Sequence, residues 1–256
     1  MLEIRNLSKK FDGVSAVSDV SFSLDEIRIS GLIGPNGSGK TTLFHMITGF
    51  YTSDAGEVFF KGNRITGLPA HEISRTGLVR TFQHSRVLPF LSVMDNLIAA
   101  APAQSGERIF PLFFRHRKVE NQEAALRKKA RKILDQVQLS ALSDHLAGNL
   151  SYGQQKLLEL GRVLMADPTL VLLDEPTAGV NPVLIHRLTD ILLNLSKTGI
   201  RIFLIEHNIK LVSSLCESVF VMDAGKLIFS GPPLAAQQDP MVIEAYLGRS
   251  IHAPDS

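Results

Sequence analysis

Ile29-Ser30-Gly31-Leu32-Ile33-Gly34-Pro35-Asn36-Gly37-Ser38-Gly39-Lys40-Thr41 is a nearly continuous apolar run that stops in a cluster of glycines and ends on Lys-Thr. A short, uninterrupted apolar run of this kind is what a strand buried on both faces of a parallel sheet needs. The glycines that follow allow backbone N–H groups to curl around an anion, and residues 40–48 read as a helix whose N-terminus adds positive potential. The pattern G-x-x-x-x-G-K-[ST] between a strand and a helix is the phosphate-binding arrangement of nucleotide-hydrolysing folds. In it Lys40 reaches the β- and γ-phosphates and the Thr41 hydroxyl meets Mg²⁺.

The flanking segments place this loop in a mixed fold. Residues 1–60 alternate apolar and polar positions in short runs, at 2–7, 14–24 and 57–61, broken by Gly, Asp and Asn, which reads as β-structure. From about residue 84 helical periodicity takes over. In residues 120–139 Leu126, Ala130, Ile133, Leu134 and Val137 share one helical face, while Arg127, Lys128, Arg131 and Lys132 share the other. Beyond residue 151 strands at 169–173, 201–205 and 219–222 alternate with helices, including one at 182–197, and a hairpin turns through Asp223-Ala224-Gly225. Strands alternating with helices imply a parallel sheet with crossovers. The expected architecture is α/β: a P-loop NTPase (RecA-like) core with an N-terminal antiparallel β subdomain and an inserted α-helical subdomain. The expected bounds are one domain over 1–250, with core at 1–83 and 160–250, helical insert at about 84–159, and a tail at 251–256.

Composition narrows the function. The 256 residues are 45% hydrophobic, enough for a large core, and carry 27 Lys and Arg against 25 Asp and Glu. A net charge of +2 is far from the basic footprint of an electrostatic nucleic-acid binder. A single cysteine, Cys216, permits no internal disulfide and reads as a small buried apolar residue. The N-terminal residues 1–5 show no leader pattern, and no run approaches the ~18 apolar residues of a membrane span. A cytoplasmic protein reaching the membrane only through partners is the expectation.

Two further segments carry chemistry. Leu170-Val171-Leu172-Leu173 ends in Asp174-Glu175. An acid at the tip of a parallel strand beside a phosphate loop holds Mg²⁺ through water, the role expected of Asp174. Glu175 points elsewhere and is the candidate general base. Strand ends also carry plain solvated acids, so this pair gains meaning from the phosphate loop. In Leu150-Ser151-Tyr152-Gly153-Gln154-Gln155 a serine stands at a helix N-cap with glycine in the first turn, a second anion-binding helix start. One nucleotide does not easily occupy two such sites in one small domain, so the economical reading is that this start caps the γ-phosphate bound by another copy.

These motifs, in this order and spacing, resemble those of the nucleotide-binding subunits of ATP-binding-cassette (ABC) transporters, over nearly the whole chain. Residues 34–41 look like the Walker A motif, 150–154 like the signature motif and 170–175 like Walker B. The resemblance implies ATP and Mg²⁺ as cofactors and assigns further roles. Phe11 corresponds to the aromatic that stacks on adenine, a residue otherwise read as core. Gln83, in Arg80-Thr81-Phe82-Gln83, corresponds to the glutamine touching Mg²⁺ and the attacking water, and His207 to the switch histidine on the γ-phosphate. The implied site comprises Glu175, His207 and Gln83 for catalysis. Phe11, Gly34, Asn36, Gly37, Ser38, Gly39, Lys40, Thr41 and Thr42 bind ATP, and Ser151, Tyr152, Gly153 and Gln154 bind it in trans. Thr41, Gln83 and Asp174 surround the metal.

A finer resemblance is to the ATP-binding subunits of branched-chain amino acid importers. Ala178-Gly179-Val180-Asn181-Pro182, Glu206-His207 and Glu244-Ala245-Tyr246-Leu247-Gly248 carry it, and urea or amide importers and a lipopolysaccharide-export ATPase share parts of it. Implied partners are a second copy or a paralogous ATPase, two integral membrane permeases and, indirectly, a periplasmic or extracellular substrate-binding protein, with no nucleic acid. Residues 84–90 would receive a permease helix; the aromatic and basic stretch 109–118 either packs its aromatics under the helix at 120–139 with its cations solvated, or forms part of the same docking surface. A non-transport ABC ATPase is disfavoured because the chain has neither a long coiled coil nor a second cassette, and a GTPase because no N-K-x-D motif occurs. Three features depart from the wider pattern: Asn208 where the subfamily commonly has Asp, Asp25-Glu26-Ile27-Arg28 in place of the usual glycine-containing turn, and Asn181 where many ABC proteins have Asp, though this subfamily often has Asn.

Overall fold

The computed structural model describes residues 1–81, 87–102 and 116–247, and for 116–120 the backbone alone. Gln83, residues 84–86 of the 84–90 segment, residues 109–115 of the 109–118 segment and the 251–256 tail therefore lie outside the described residues. The chain divides into two compact units, Met1–Arg80 with Thr169–Ala178 and Leu192–Ser256, and Thr81–Pro168 with Gly179–Ile191.

The first unit holds two sheets. β1 (Leu2–Phe11), β2 (Val14–Ser23), β4 (Ala55–Phe60) and β5 (Asn63–Arg64) form an antiparallel sheet in the order β2-β1-β4-β5. Burial alternates along β1, with Leu2, Ile4 and Leu7 at or below 1% exposure, as a sheet with one covered face requires. The second sheet runs β10-β9-β3-β8-β7-β6. β3 (Ile29–Ile33), β6 (Leu78–Arg80), β7 (Leu170–Asp174), β8 (Arg201–Ile205) and β9 (Ser218–Asp223) are parallel, and β10 (Lys226–Gly231) closes the edge as an antiparallel hairpin. Every residue of β3 and β7 is buried, the signature of strands covered on both faces. Helix α1 (Lys40–Ile47) is seated in a core shared with both sheets, where Phe44, Phe203, Phe22 and Phe220 meet at centroid separations of 4.4–6.0 Å, and the short α2 (Ala70–Arg75) adds Ile73 to it.

Phe11, read as core on its own merits, is 40% exposed at the end of β1. The Asp25–Arg28 turn does without glycine because Glu26 itself adopts φ +62°, with Ile27 N–H donating to Asp25 O at 2.8 Å. Cys216 is buried, and burial pushes its thiol pKa up to about 12.

The second unit is helical and contains α3 (Val93–Ala99), α4 (His116–Gln136), α5 (Tyr152–Leu164) and the first ten residues of α6 (Pro182–Lys197). The apolar face read in the sequence is the packed one: Ala130, Ile133, Leu134 and Val137 are at most 4% exposed, while Arg127, Lys128, Arg131 and Lys132 are exposed. A Cβ on Gly161 of α5 would lie 3.0–3.5 Å from Leu97, Ile133 and Val137, so a hydrogen at that position lets α3, α4 and α5 approach closely. This unit is broader than the expected insert at 84–159: its first segment runs Thr81–Pro168, and Gly179–Ile191 belongs to it as well, with Arg187 Nε donating to Gln138 Oε1 at 2.5 Å. No described helix is long and apolar enough to cross a membrane.

Candidate functional site

In the first unit the loop from Gly34 leaves β3 and enters α1 at Gly39, which has φ +99° and no side-chain cap. A Cβ there would sit 2.2 Å from the carbonyl oxygen of Ala16, so the loop's approach to β2 leaves room for glycine alone. The helix start thus presents its first amides to the loop rather than to a capping side chain. Lys40 is 5% exposed, and its ammonium donates to Gly34 O (2.9 Å), Pro35 O (2.8 Å) and Ser38 Oγ (3.3 Å). Ser38 is fully buried, and Thr41 and Thr42 are half-buried on the first turn of α1. Gly225 N–H donates to Ser38 O, which ties the loop to the β9–β10 turn.

Parallel pairing brings the tips of β7 and β8 together, with Asp174 opposite Ile205. Asp174 is 2% exposed and accepts from Arg80 Nη2 at 2.5 Å. Glu175 leaves the strand with φ +48°, a left-handed conformation rare for a glutamate, and its N–H donates to Ile205 O at 3.0 Å. Its Oε1 lies 2.8 Å from His207 Nε2. These two side chains are partly exposed, so the pair is open to solvent while Asp174 beside it is closed.

Three residues matter here that the sequence reading left without a role. Glu206, 3% exposed, accepts from Thr177 N and Oγ1 (3.0 and 2.6 Å) through one oxygen and from His207 N (3.2 Å) through the other. It clamps the turn after β7 to the end of β8. Arg80 is the ion-pair partner of Asp174, and a lone arginine at a strand end gives no signal in a single sequence. Tyr51 meets Phe11 edge-on at 5.4 Å and stacks on His45 at 4.7 Å, so Phe11 is braced from beneath rather than buried. Burial, then the positive charge of Arg80, holds the pKa of His45 below its usual value. Asn208 caps α7 (Ile209–Leu215), its Oδ1 accepting from Leu211 N at 3.1 Å. An aspartate would cap the same way, so this departure keeps the local structure.

In the second unit Ser151 is the N-cap of α5. Its Oγ accepts from Gln154 N (3.3 Å), and Gln154 Oε1 accepts from Ser151 N (2.9 Å), a complete capping box. Tyr152 is 48% exposed, and Gly153 is buried where a Cβ would meet Leu184 Cδ2 at 1.7 Å. Asn181 Oδ1 accepts from Leu184 N at 2.9 Å and caps α6, so Asn serves as Asp would. From within α3, the fully buried Asn96 reaches back to the preceding turn, its Oδ1 accepting from Leu88 N (2.8 Å) and its Nδ2 donating to Leu88 O (2.9 Å) and Ser92 O (3.0 Å). The turn this fixes leaves Leu88, Phe90 and Leu91 exposed, Phe90 at 89%.

The predicted site residues thus fall in two groups. Phe11, Gly34–Thr42, Asp174, Glu175 and His207 belong to the first unit, and Ser151, Tyr152, Gly153 and Gln154 to the second. Gln83 lies outside the described residues.

The family model described as ABC transporter matches residues 17–178. The chain is 43% identical over 97% of its length to a probable branched-chain amino acid transport ATP-binding protein, LivG, of Archaeoglobus fulgidus, covering 95% of that protein. It is 36% identical to the high-affinity branched-chain amino acid transport ATP-binding protein BraF of Pseudomonas aeruginosa, with 98% of both covered. Among solved structures it matches a nucleotide-free ATP-binding cassette from an ABC transporter with a TM-score of 0.82 at 37% identity, over 96% of this chain and 98% of that one. An ADP-bound cassette of an ABC transporter gives the same score and identity, over 97% and 98%. The chain belongs to the ABC transporter family, as a nucleotide-binding, ATP-hydrolysing cassette.

Proposed function

We propose that this cassette is the ATP-hydrolysing subunit of an importer for branched-chain amino acids, acting on the inner face of the membrane with two permeases and a second ATPase subunit. The observation that carries the chemistry is the Glu175–His207 pair at 2.8 Å, set beside the buried Asp174 at the tip of β7. The cargo rests on relatives named for branched-chain amino acid transport that match over nearly their whole length.

Hydroxyl and carboxylate oxygens on Thr41 and Asp174 are the hard donors Mg²⁺ prefers, so the donor set fits that ion. Bound Mg²⁺, held by Thr41 and Asp174, would supply positive charge that offsets the charge developing on the phosphates. Lys40 and the first amides of α1 hold the phosphates, and Phe11, braced by Tyr51, offers its face to adenine. Glu175 takes a proton from the attacking water. His207 holds the glutamate side chain in place and donates toward the γ-phosphate, and Gln83 contacts the same water. Ser151, Tyr152, Gly153 and Gln154 cap the γ-phosphate held by the partner subunit, because a second polar helix start has no use on its own nucleotide. The exposed Leu88, Phe90 and Leu91 turn supports docking of a permease helix.

Glu175→Gln tests the core of this reading. It should retain ATP binding, slow turnover by at least ~10²-fold and trap a nucleotide-bound dimer. Near-normal turnover would remove Glu175 from the mechanism. Leucine uptake by a strain lacking the gene, restored by this chain and not by Glu175→Gln, tests the cargo.

A further inference from the structure

Among the described residues Arg80 and Asp174 form the one ion pair with both side chains almost fully buried, at 4% and 1% exposure and 2.5 Å apart. Buried ion pairs are costly to desolvate and contribute little to stability by themselves, so such a pair invites a functional account. The surroundings of Arg80 sharpen it. Its Nε and Nη1 are buried with no hydrogen-bond partner among the described residues, and the ring of Phe44 lies 5.8 Å from the guanidinium. The charge of Arg80 is therefore compensated chiefly by Asp174, and it is felt as far as His45 on α1. Arg80 is the last residue of β6, bonded across the ladder to β7 opposite Leu172, and Thr81 after it opens the second unit.

We infer that Arg80 is a positioning residue that acts as the resident cation of Asp174, and that a divalent cation competes with it for that carboxylate. The inference rests on the reading of Asp174 as a Mg²⁺ residue. Two cations sharing one buried carboxylate repel each other, so each weakens the other's hold, and the coupling is reciprocal. Arg80 thereby keeps the cation affinity of the bare loop low and makes Mg²⁺ recruitment depend on the nucleotide's phosphates. In return, arrival of Mg²⁺ loosens Arg80 from Asp174 at the strand end that leads into Thr81.

The test uses the full chain and a fluorescent ADP analogue titrated in EDTA and at graded MgCl₂. Arg80→Met should lower the Mg²⁺ concentration giving half-maximal enhancement of binding by at least about tenfold, while nucleotide affinity in EDTA stays within about twofold of wild type. Arg80→Lys, which keeps a cation, should remain within about threefold of wild type in both. An unchanged or raised half-saturation in Arg80→Met overturns the inference. Asp174→Asn separates the two layers: if it leaves Mg²⁺ dependence intact, the metal reading of Asp174 fails, and if it abolishes that dependence while Arg80→Met shows no tightening, the competition alone fails. Should Arg80→Met not fold, hydrogen exchange on the wild-type chain decides. Amides of residues 78–81 should exchange faster with ADP and Mg²⁺ than with ADP in EDTA, and equal rates overturn the competition.

Discussion

Replacing Gly39 by alanine should damage the cassette far more than the same change two residues earlier, and the structure gives the margin. Gly39 has φ +99°, outside the regions an alanine occupies at low energy, which costs about 1–3 kcal/mol. Its new Cβ would stand 2.2 Å from Ala16 O, a backbone atom of β2 that cannot turn aside as a side chain would. Opening that contact by about 1 Å shifts packed backbone and adds a further ~1–3 kcal/mol. Gly37 also has a positive φ, +76°, but nothing lies within 4 Å of a Cβ there, so only a backbone cost of about 1 kcal/mol remains. Against a total stability of about 5–15 kcal/mol, the combined loss of about 2–6 kcal/mol for Gly39→Ala is substantial, and the loss for Gly37→Ala is small. Urea unfolding of both variants, followed by helical circular dichroism, measures the difference, and nucleotide binding should fall in the same order. Equal losses in the two variants, or a loss under about 1 kcal/mol for Gly39→Ala, would refute the close-approach argument.

Other outcomes follow from the two groups of residues and from the titrating side chain near them. Mixing Lys40→Ala with Ser151→Arg should restore part of the ATPase activity that each lacks alone, because one composite site then has both intact halves; full activity of a dilute monomer would contradict this. Leu88→Asp with Phe90→Asp, both at exposed positions, should leave ATP affinity unchanged and abolish co-purification with the permeases, and a retained complex would exclude this turn as the docking surface. His45 has its pKa lowered in the folded chain, so between the folded and unfolded values the unfolded state binds more protons. Stability should therefore fall as pH drops below about 6.5, and His45→Gln should flatten that fall in denaturation midpoints measured from pH 7.5 to 5.5.

Much of this was readable from residues alone, for identifiable reasons. The apolar run into Gly34 and the run into Asp174 mark strands buried on both faces, and β3 and β7 have no exposed residue. Helix α6 and strand β8 have the bounds that periodicity assigns them, because Asn181-Pro182 is a strong start signal and Gly199 a clear break. What escaped was set by long-range pairing. Arg80 and Asp174 are 94 residues apart, and Thr177 and Glu206 are 29 apart, so their partnership exists only after β6, β7 and β8 align. Phe11 differed: by itself an aromatic at a strand end looks like core, and only the resemblance assigned it to adenine, whereas in the fold Tyr51, forty residues on, meets it edge-on and it stays 40% exposed.

The position of Glu175 shows how these long-range pairings serve the chemistry. A glutamate at φ +48° costs about 1–2 kcal/mol relative to ordinary backbone, and nothing in β7 itself holds it there. The restraint comes from β8: Ile205 O receives the Glu175 amide, Glu206 binds Thr177 through backbone and hydroxyl, and His207 meets the Glu175 carboxylate. Three consecutive residues of one strand end therefore fix both the bend and the direction of the side chain on the other. Asp174, one residue earlier, is still within the ladder opposite Ile205 and turns inward to Arg80, so the bend separates two adjacent carboxylates into a buried one and an open one. That separation is what their proposed roles need, since a metal-holding carboxylate works best in a closed, pre-set environment and a proton acceptor has to reach water.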